Sequence, residues 1–296
     1  MLGVVNLDKP VGVTSHDMVG LMRRLTGMRR IGHAGTLDPL ASGVLPILVG
    51  AATRFSEELT GGRKRYAAEV RLGLRSVTDD GEGPIEPSGV PVPDRAAIDD
   101  ALATQRGTFE QRPPAFSARK QAGQTAHRAA RAGTPLDLPP RMVRVERLDL
   151  VDLIEGDGWV DLHLDVVCGA GTYIRSIARD LGAELGCGGY LHALRRVEAA
   201  GLHVADAVPP MDLEALAAAG ELGRAVMPVT DLLPLPRVTL EDAGAFLHGS
   251  PTPVAAGTPD GRHVTVSHDG RLLGIGTVSG GVLQPEKVLA DPGARP

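Results

Sequence analysis

Two stretches of this chain alternate apolar and polar residues with a period that only a strand accommodates. In RYAAEVRLGL, Tyr66, Ala68, Val70, Leu72 and Leu74 share one face; in WVDLHLDVVC, Val160, Leu162, Leu164, Val166 and Cys168 do. After the second, a Gly169-Ala170-Gly171 turn changes the period, and Ile174, Ile177, Ala178, Leu181 and Leu185 recur at helical spacing. A further helix is predicted over SHDMVGLMRRLTG, capped by the Ser15 hydroxyl and stopped at Gly27, and another over DRAAIDDALATQRG, capped by Asp94. Strands and helices are interspersed without a regular βαβ alternation and without internal repeats, so the expected fold is α+β with a mixed or antiparallel sheet.

Two segments break the pattern. Residues 106–141 are basic, rich in Gly and Pro and poor in long apolar runs, which predicts a protruding element. PVTDLLPLPR, around 228–237, carries three prolines and reads as a linker. Beyond it, short alternating stretches such as RHVTVSH and RLLGIGTVS, separated by glycine turns, predict a small β-rich domain. The expected division is residues 1–234 and 235–296. No apolar run is long enough to span a membrane, and no basic segment followed by an apolar one opens the sequence. With only Cys168 and Cys187 there is no disulfide framework, and a cytoplasmic location is expected.

The formal net charge of −5 conceals segregation. Residues 9–75 hold 11 basic and 5 acidic residues and residues 105–147 hold 9 and 3, whereas 76–104 hold 1 and 7 and 148–169 hold none and 6. Two basic blocks set apart in this way are suited to a phosphate backbone, although solvated surface arginine would give the same count.

The stretch GHAGTLDPLASGVLPILVG, from Gly32 to Gly50, holds a single acid, Asp38, between leucine and proline. It lacks the lysine and hydroxyl of a phosphate-binding loop and the several oxygens of a calcium loop. A zinc site built on His163 and Cys168 fails because odd spacing in a strand puts the two on opposite faces, and no metal site is expected. A structural Asp-Pro turn and a lone catalytic carboxylate both remain open. The second would suit a reaction in which the leaving group stays in the pocket and rejoins, as in isomerisation of a nucleoside.

Lys9-Pro10, GHAGTLDPLASGVL, KRYAAEVRLG, GTYIRSIARDLG and LHALRRV occur here in order, and together the chain resembles the TruB family of tRNA pseudouridine synthases over essentially its whole length. The resemblance implies a pseudouridine synthase catalytic domain followed by a PUA-like β-barrel in the GIGTVSGGVLQPEKVL region. It implies isomerisation of the uridine at position 55, in the T-loop of tRNA, on a base flipped out of its stack, with Asp38 as nucleophile or base and no cofactor. Tyr66 would stack on the target base, Arg175 would pair with Asp38 and lower its pKa, and Tyr173 and Leu194 would line the uracil pocket. His33 would fill the place the uridine vacates, and Lys9 and Pro10 would support the active-site loop. The basic segment 106–141 matches the family's thumb, where Arg112, Arg119, Lys120, Arg128 and Arg131 would meet the RNA backbone. The partner implied is the T-stem-loop of tRNA, engaged by a monomer without guide RNA or membrane. The rival readings are a guide-RNA-dependent pseudouridine synthase and a non-catalytic tRNA-binding or folding chaperone, which would have no use for Asp38.

Overall fold

The computed structural model describes residues 1–289 apart from 118, 122, 256, 257, 259 and 262; the side chain of Lys120 also lies outside the described atoms. In chain order, the main sheet is built from β1 (Gly3–Lys9), β2 (Ile31–His33), β3 (Ala41–Val49), β4 (Lys64–Leu72), β7 (Gly107–Gln111), β10 (Arg141–Glu155), β11 (Val160–Cys168), β12 (Gly189–Ala199) and β13 (Leu202–His203). Two small hairpins stand apart from it, β5 (Leu74–Ser76) with β6 (Ile85–Pro87) and β8 (Lys120–Gln121) with β9 (Gln124–Thr125). The spatial order is β1-β3-β12-β4-β11-β10-β7, with β2 added to β3 and β13 to β12. Only β12 and β3 run parallel; every other pair in this sheet is antiparallel.

The two alternating stretches become neighbours, with Tyr66 opposite Val166 and Val70 opposite Leu162. Tyr66, Ala68, Val70, Leu72, Leu162, Leu164, Val166 and Cys168 all turn to the buried face, while Leu74 leaves the sheet for β5. That face is covered by α1 (Ser15–Thr26), α3 (Arg95–Thr104), α5 (Ile174–Glu184) and α6 (Pro210–Ala218), whose apolar stripes share one core with it. Each large aliphatic side chain so buried contributes about 1.5–3 kcal/mol. The short helices α2 (Ser56–Thr60), α4 (Ala126–Arg131) and α7 (Gly244–Leu247) lie outside this layer. On the opposite face the side chains pair as ions, Arg65 with Asp165, Arg71 with Asp161 and Arg195 with Asp8.

Helix α5 approaches β12 more closely than a side chain permits, since a Cβ on Gly182 would stand 2.1 Å from the Gly189 nitrogen. Helix α1 is capped by Thr14 rather than Ser15: the Thr14 hydroxyl accepts from the Asp17 amide, and the Asp17 carboxylate accepts in return from the Thr14 amide. Ser15 is turned inward instead, to a role described below. Asp94 caps α3 and Gly27, in the left-handed region, ends α1, both as expected.

The C-terminal strands β14 (Arg237–Thr239), β15 (Thr252–Pro253), β16 (His263–His268), β17 (Arg271–Ser279) and β18 (Val282–Val288) form a separate sheet in the order β14-β16-β17-β18-β15. Among the described residues β14 and β15 remain its two edges, so the sheet is an open half-barrel, which does not by itself establish the PUA-like β-barrel expected. The 228–237 segment is not a free tether: Val229 and Leu233 are buried with Phe55 and Leu59 of the larger part and with Ile275 and Leu289 of the smaller. Lys287 adds ion pairs to Glu57 and Glu58 across the same junction. The 106–141 segment also begins later than expected, because residues 107–111 pair with β10 as an edge strand of the main sheet. The part that leaves the sheet carries β8, β9 and α4.

Candidate active site

Asp38 lies in the loop of residues 34–40 between β2 and β3, and buried polar contacts set that loop's path. The Ser15 hydroxyl accepts from the Leu37 amide at 2.8 Å and donates to the Leu37 carbonyl at 3.0 Å. Lys9, fully buried at the end of β1, donates to the carbonyls of Val13, Pro10 and Pro39 at 2.7, 2.8 and 3.4 Å. The Ala41 amide donates to the Asp38 carbonyl at 3.0 Å, closing the turn. Burial pushes the Lys9 ammonium down to about 8, with the nearby Asp38 charge opposing that shift.

Arg175 approaches from the first turn of α5. Its helix is anchored by Gln111, at the end of β7, whose amide accepts from the Tyr173 N–H at 2.9 Å and donates to the Tyr173 carbonyl at 3.1 Å. The Arg175 side chain is 6% exposed. Its Nη2 lies 2.9 Å from Asp38 Oδ2, and its Nη1 donates to Asp80 Oδ2 at 3.2 Å and to the Thr78 carbonyl at 3.3 Å. Asp80 is fixed in turn by the Thr78 hydroxyl at 2.5 Å and the Glu82 amide at 3.0 Å. One guanidinium therefore serves two carboxylates, one buried and the other 38% exposed to the cleft.

Arg175 lowers the Asp38 pKa, as expected, but the net displacement is upward. Burial is the largest cause and the Asp80 charge adds to it, while Arg175 and Lys9 oppose. The exposed edge of the carboxylate moderates the desolvation, so the group is a partly destabilised anion held in place by its arginine.

A cleft of about 560 Å³ opens over this pair, bordered by His33, Asp38, Asp80, Glu82 and Arg175 and, from the 106–141 segment, by Phe116, Ser117, His127 and Arg131. That volume is in the range of small-ligand sites. His33 borders the cleft half-buried, and burial lowers its pKa, favouring the neutral imidazole. Pro10 is exposed in the turn that Lys9 holds.

Tyr66, Tyr173 and Leu194 are not among the residues that border the cleft. Tyr66 is buried in β4 opposite Arg196, and burial raises its phenol to about 12. Tyr173 is half-buried with the Arg141 guanidinium 5.1 Å over its ring. Leu194 faces Ala41 and Ala68 across its strand neighbours and borders a groove with Leu40 and Ala68. Of the basic residues singled out for RNA, Arg128 and Arg131 are exposed on α4, Arg119 is half-buried, and Arg112 pairs with Asp137. Lys120 falls among the side chains outside the description.

Sequence reasoning missed Asp80, Gln111 and the inward role of Ser15. The stretch SVTDDGEG, with hydroxyls before paired acids, held a signal for Asp80, because such residues hydrogen-bond within a turn. Nothing in the local sequence marks Gln111, whose partner is 62 residues away.

Residues 23–174 match the TruB family pseudouridylate synthase N-terminal domain, and residues 175–234 match the tRNA pseudouridylate synthase B C-terminal domain. The chain is 43% identical to the tRNA pseudouridine synthase B of Synechococcus sp. (strain WH7803), over 97% of each, and 41% identical to that of Thermobifida fusca (strain YX), over 97% of this chain and 98% of the relative. Among solved structures it resembles a chain of a Cbf5-Nop10-Gar1 complex, with a TM-score of 0.72 and 27% identity over 97% of this chain and 84% of that one. A chain of an H/ACA RNP bound to a substrate RNA containing 2′-deoxyuridine gives a TM-score of 0.74 and 25% identity over 100% and 87%. Together with the full-length identities, the family matches across the Asp38 loop and α5 establish that the chain belongs to the TruB family of pseudouridylate synthases.

Proposed function

We propose that this protein isomerises uridine at position 55, in the T-loop of tRNA, to pseudouridine, acting as a stand-alone cytoplasmic monomer with neither cofactor nor guide RNA. The observation that carries this reading is the Asp38–Arg175–Asp80 arrangement: one carboxylate with an open edge, oriented by a buried arginine, in a cleft bordered by a basic segment. Full-length relatives bearing the name tRNA pseudouridine synthase B support tRNA as the substrate and favour the stand-alone mode over a guide-dependent one.

In this reading, the flipped uridine enters beside Asp38, which acts as nucleophile or base while the C1′–N1 bond breaks. The uracil turns within the pocket, C5 joins C1′, and the proton on C5 leaves as N1 gains one, so the overall change is an isomerisation. Arg175 holds the Asp38 carboxylate toward the sugar. Tyr66 contributes its aromatic face, with Tyr173 and Leu194 shaping the base pocket once RNA is bound. His33, as a neutral ring, fills the space the uridine leaves, and Lys9 and Pro10 keep the loop in register. Arg112, Arg119, Lys120, Arg128 and Arg131 track phosphates, and the C-terminal half-barrel provides a PUA-like RNA-binding surface.

The test is to map pseudouridine by chemical labelling and primer extension on a full tRNA transcript incubated with the purified protein alone. The reading expects one modified site, at position 55, without added RNA. Modification only when a guide RNA is supplied would support the guide-dependent alternative instead.

A further inference from the structure

Arg196 is the largest fully buried side chain among the described residues, 1% exposed, and no carboxylate among them lies within ion-pairing distance of it. A guanidinium taken out of water costs several kcal/mol unless its donors are satisfied. Here three of its five donors go to main-chain carbonyls, and the Tyr66 phenol lies beside the group as well. Nε donates to Val44 at 2.6 Å, Nη2 to Gly35 at 3.0 Å and Nη1 to Thr36 at 3.5 Å. Its neighbour Arg195, one position along β12, points the other way and pairs at the surface with Asp8.

The position of Arg196 explains its reach. It lies opposite Gly43 across the parallel pair of β12 with β3 and opposite Tyr66 across the antiparallel pair of β12 with β4. The approach to β3 is so close that a Cβ on Gly43, whose φ is +99°, would stand 2.2 Å from the Arg196 carbonyl oxygen. The side chain thus leaves the sheet where the Asp38 loop passes over it. With Ser15 on Leu37 and Lys9 on Pro39, it is the third anchor of that loop, and it takes the end nearest His33.

We infer that Arg196 is a positioning residue for the reaction: by holding the carbonyls of Gly35 and Thr36 against β3, it fixes the path of the loop that sets Asp38 against Arg175. The inference rests on the pseudouridine synthase reading above. It is distinct from an anchor for the strand pair alone, which the single bond to Val44 would provide. A bond to β3 combined with two to the loop needs the planar fork of a guanidinium, which the point charge of an ammonium does not reproduce.

The experiment compares wild type, Arg196→Lys, Ser15→Ala and the double variant as full-length proteins. Single-turnover pseudouridine formation is read on tRNA transcript, together with tRNA Kd, melting temperature and amide hydrogen exchange. In Arg196→Lys the single-turnover rate is expected to fall about 10- to 100-fold, the effect of a displacement of order 1 Å at a reacting group. The Kd should stay within about threefold because phosphate contacts lie elsewhere. Exchange should rise in residues 34–40 without rising across the sheet. The rate losses of Arg196→Lys and Ser15→Ala should be less than multiplicative, because both release the same loop.

An unchanged rate with unchanged exchange in residues 34–40 overturns the inference. So does a rate loss matched by weaker tRNA binding, or exchange that rises uniformly with global unfolding. If Arg196→Lys does not fold, Arg196→Gln, which keeps two donors, is read in the same way. Should wild type itself form no pseudouridine, the functional reading fails, and hydrogen exchange still decides whether Arg196 orders the loop.

Discussion

Arg175 bridges Asp38 and Asp80, with one guanidinium nitrogen 2.9 Å from the first carboxylate and the other 3.2 Å from the second. The two acids differ in setting: Asp80 is 2% exposed and held by a hydroxyl and an amide, whereas the Asp38 side chain keeps an open edge. The buried acid thereby fixes the arginine, and the arginine fixes the exposed acid.

Asp80→Asn keeps the shape of the buried residue and removes its charge. The Asp80 charge helps raise the Asp38 pKa, so its loss should move the acidic limb of the pH–rate profile to lower pH. Turnover should also fall, by about 10-fold or more, because Arg175 loses one of its two anchors. A pH–rate profile under single-turnover conditions measures both effects.

Arg175→Met should shift the same limb in the opposite direction, to higher pH, since Arg175 opposes the upward push on Asp38. It leaves Asp80 buried without its cation, a change that typically costs about 3–5 kcal/mol. Thermal melts should therefore show destabilisation in this variant, and melts of Arg175→Met with Asp80→Asn should recover part of it.

Much of the fold was legible from periodicity because β4 and β11 bury one face each, so their alternation is enforced by the core. Helix α5 was legible for the same reason. Less could be read where the structure depends on distant partners. Thr14 and Ser15 are both suitable caps, and only the position of Leu37, 22 residues on, shows that Ser15 is committed elsewhere. Arg195 and Arg196 look alike in LHALRRV, yet strand alternation sends one to the surface and the other into the core. The proline-rich 228–237 segment reads as a tether because its few apolar residues show no period, although Val229 and Leu233 complete a core shared by both sheets. The family resemblance named Asp38 and Arg175; Asp80 emerged only from the fold that brings residues 95 apart in sequence together.

Burial lowers Lys9 and Lys64 to about 8 from an ordinary value of 10.5. For such a group the unfolded chain binds more protons between these two values, so stability rises with pH across that window and is lost again as pH falls through about 8. The difference in unfolding free energy between wild type and Lys9→Met should therefore shift in favour of wild type from pH 8 to pH 10. Denaturant titrations at several pH values measure it, and a difference independent of pH would contradict the buried-ammonium account.

Phe55 is fully buried in the core shared by the two sheets. Phe55→Ala should cost about 3–5 kcal/mol. Because both sheets contribute to that core, chemical denaturation is expected to show the loss in the C-terminal sheet as well as in the larger part, which hydrogen exchange resolves by segment.

The central claim, that Asp38 performs the chemistry, is tested most directly by tritium release from tRNA transcript carrying 5-³H-uridine, with wild type and Asp38→Asn assayed side by side in EDTA. C5 loses its hydrogen only on becoming the new glycosidic carbon. The account predicts release by wild type and none by Asp38→Asn, with tRNA affinity retained within several-fold. Release by Asp38→Asn at a rate near that of wild type would contradict it.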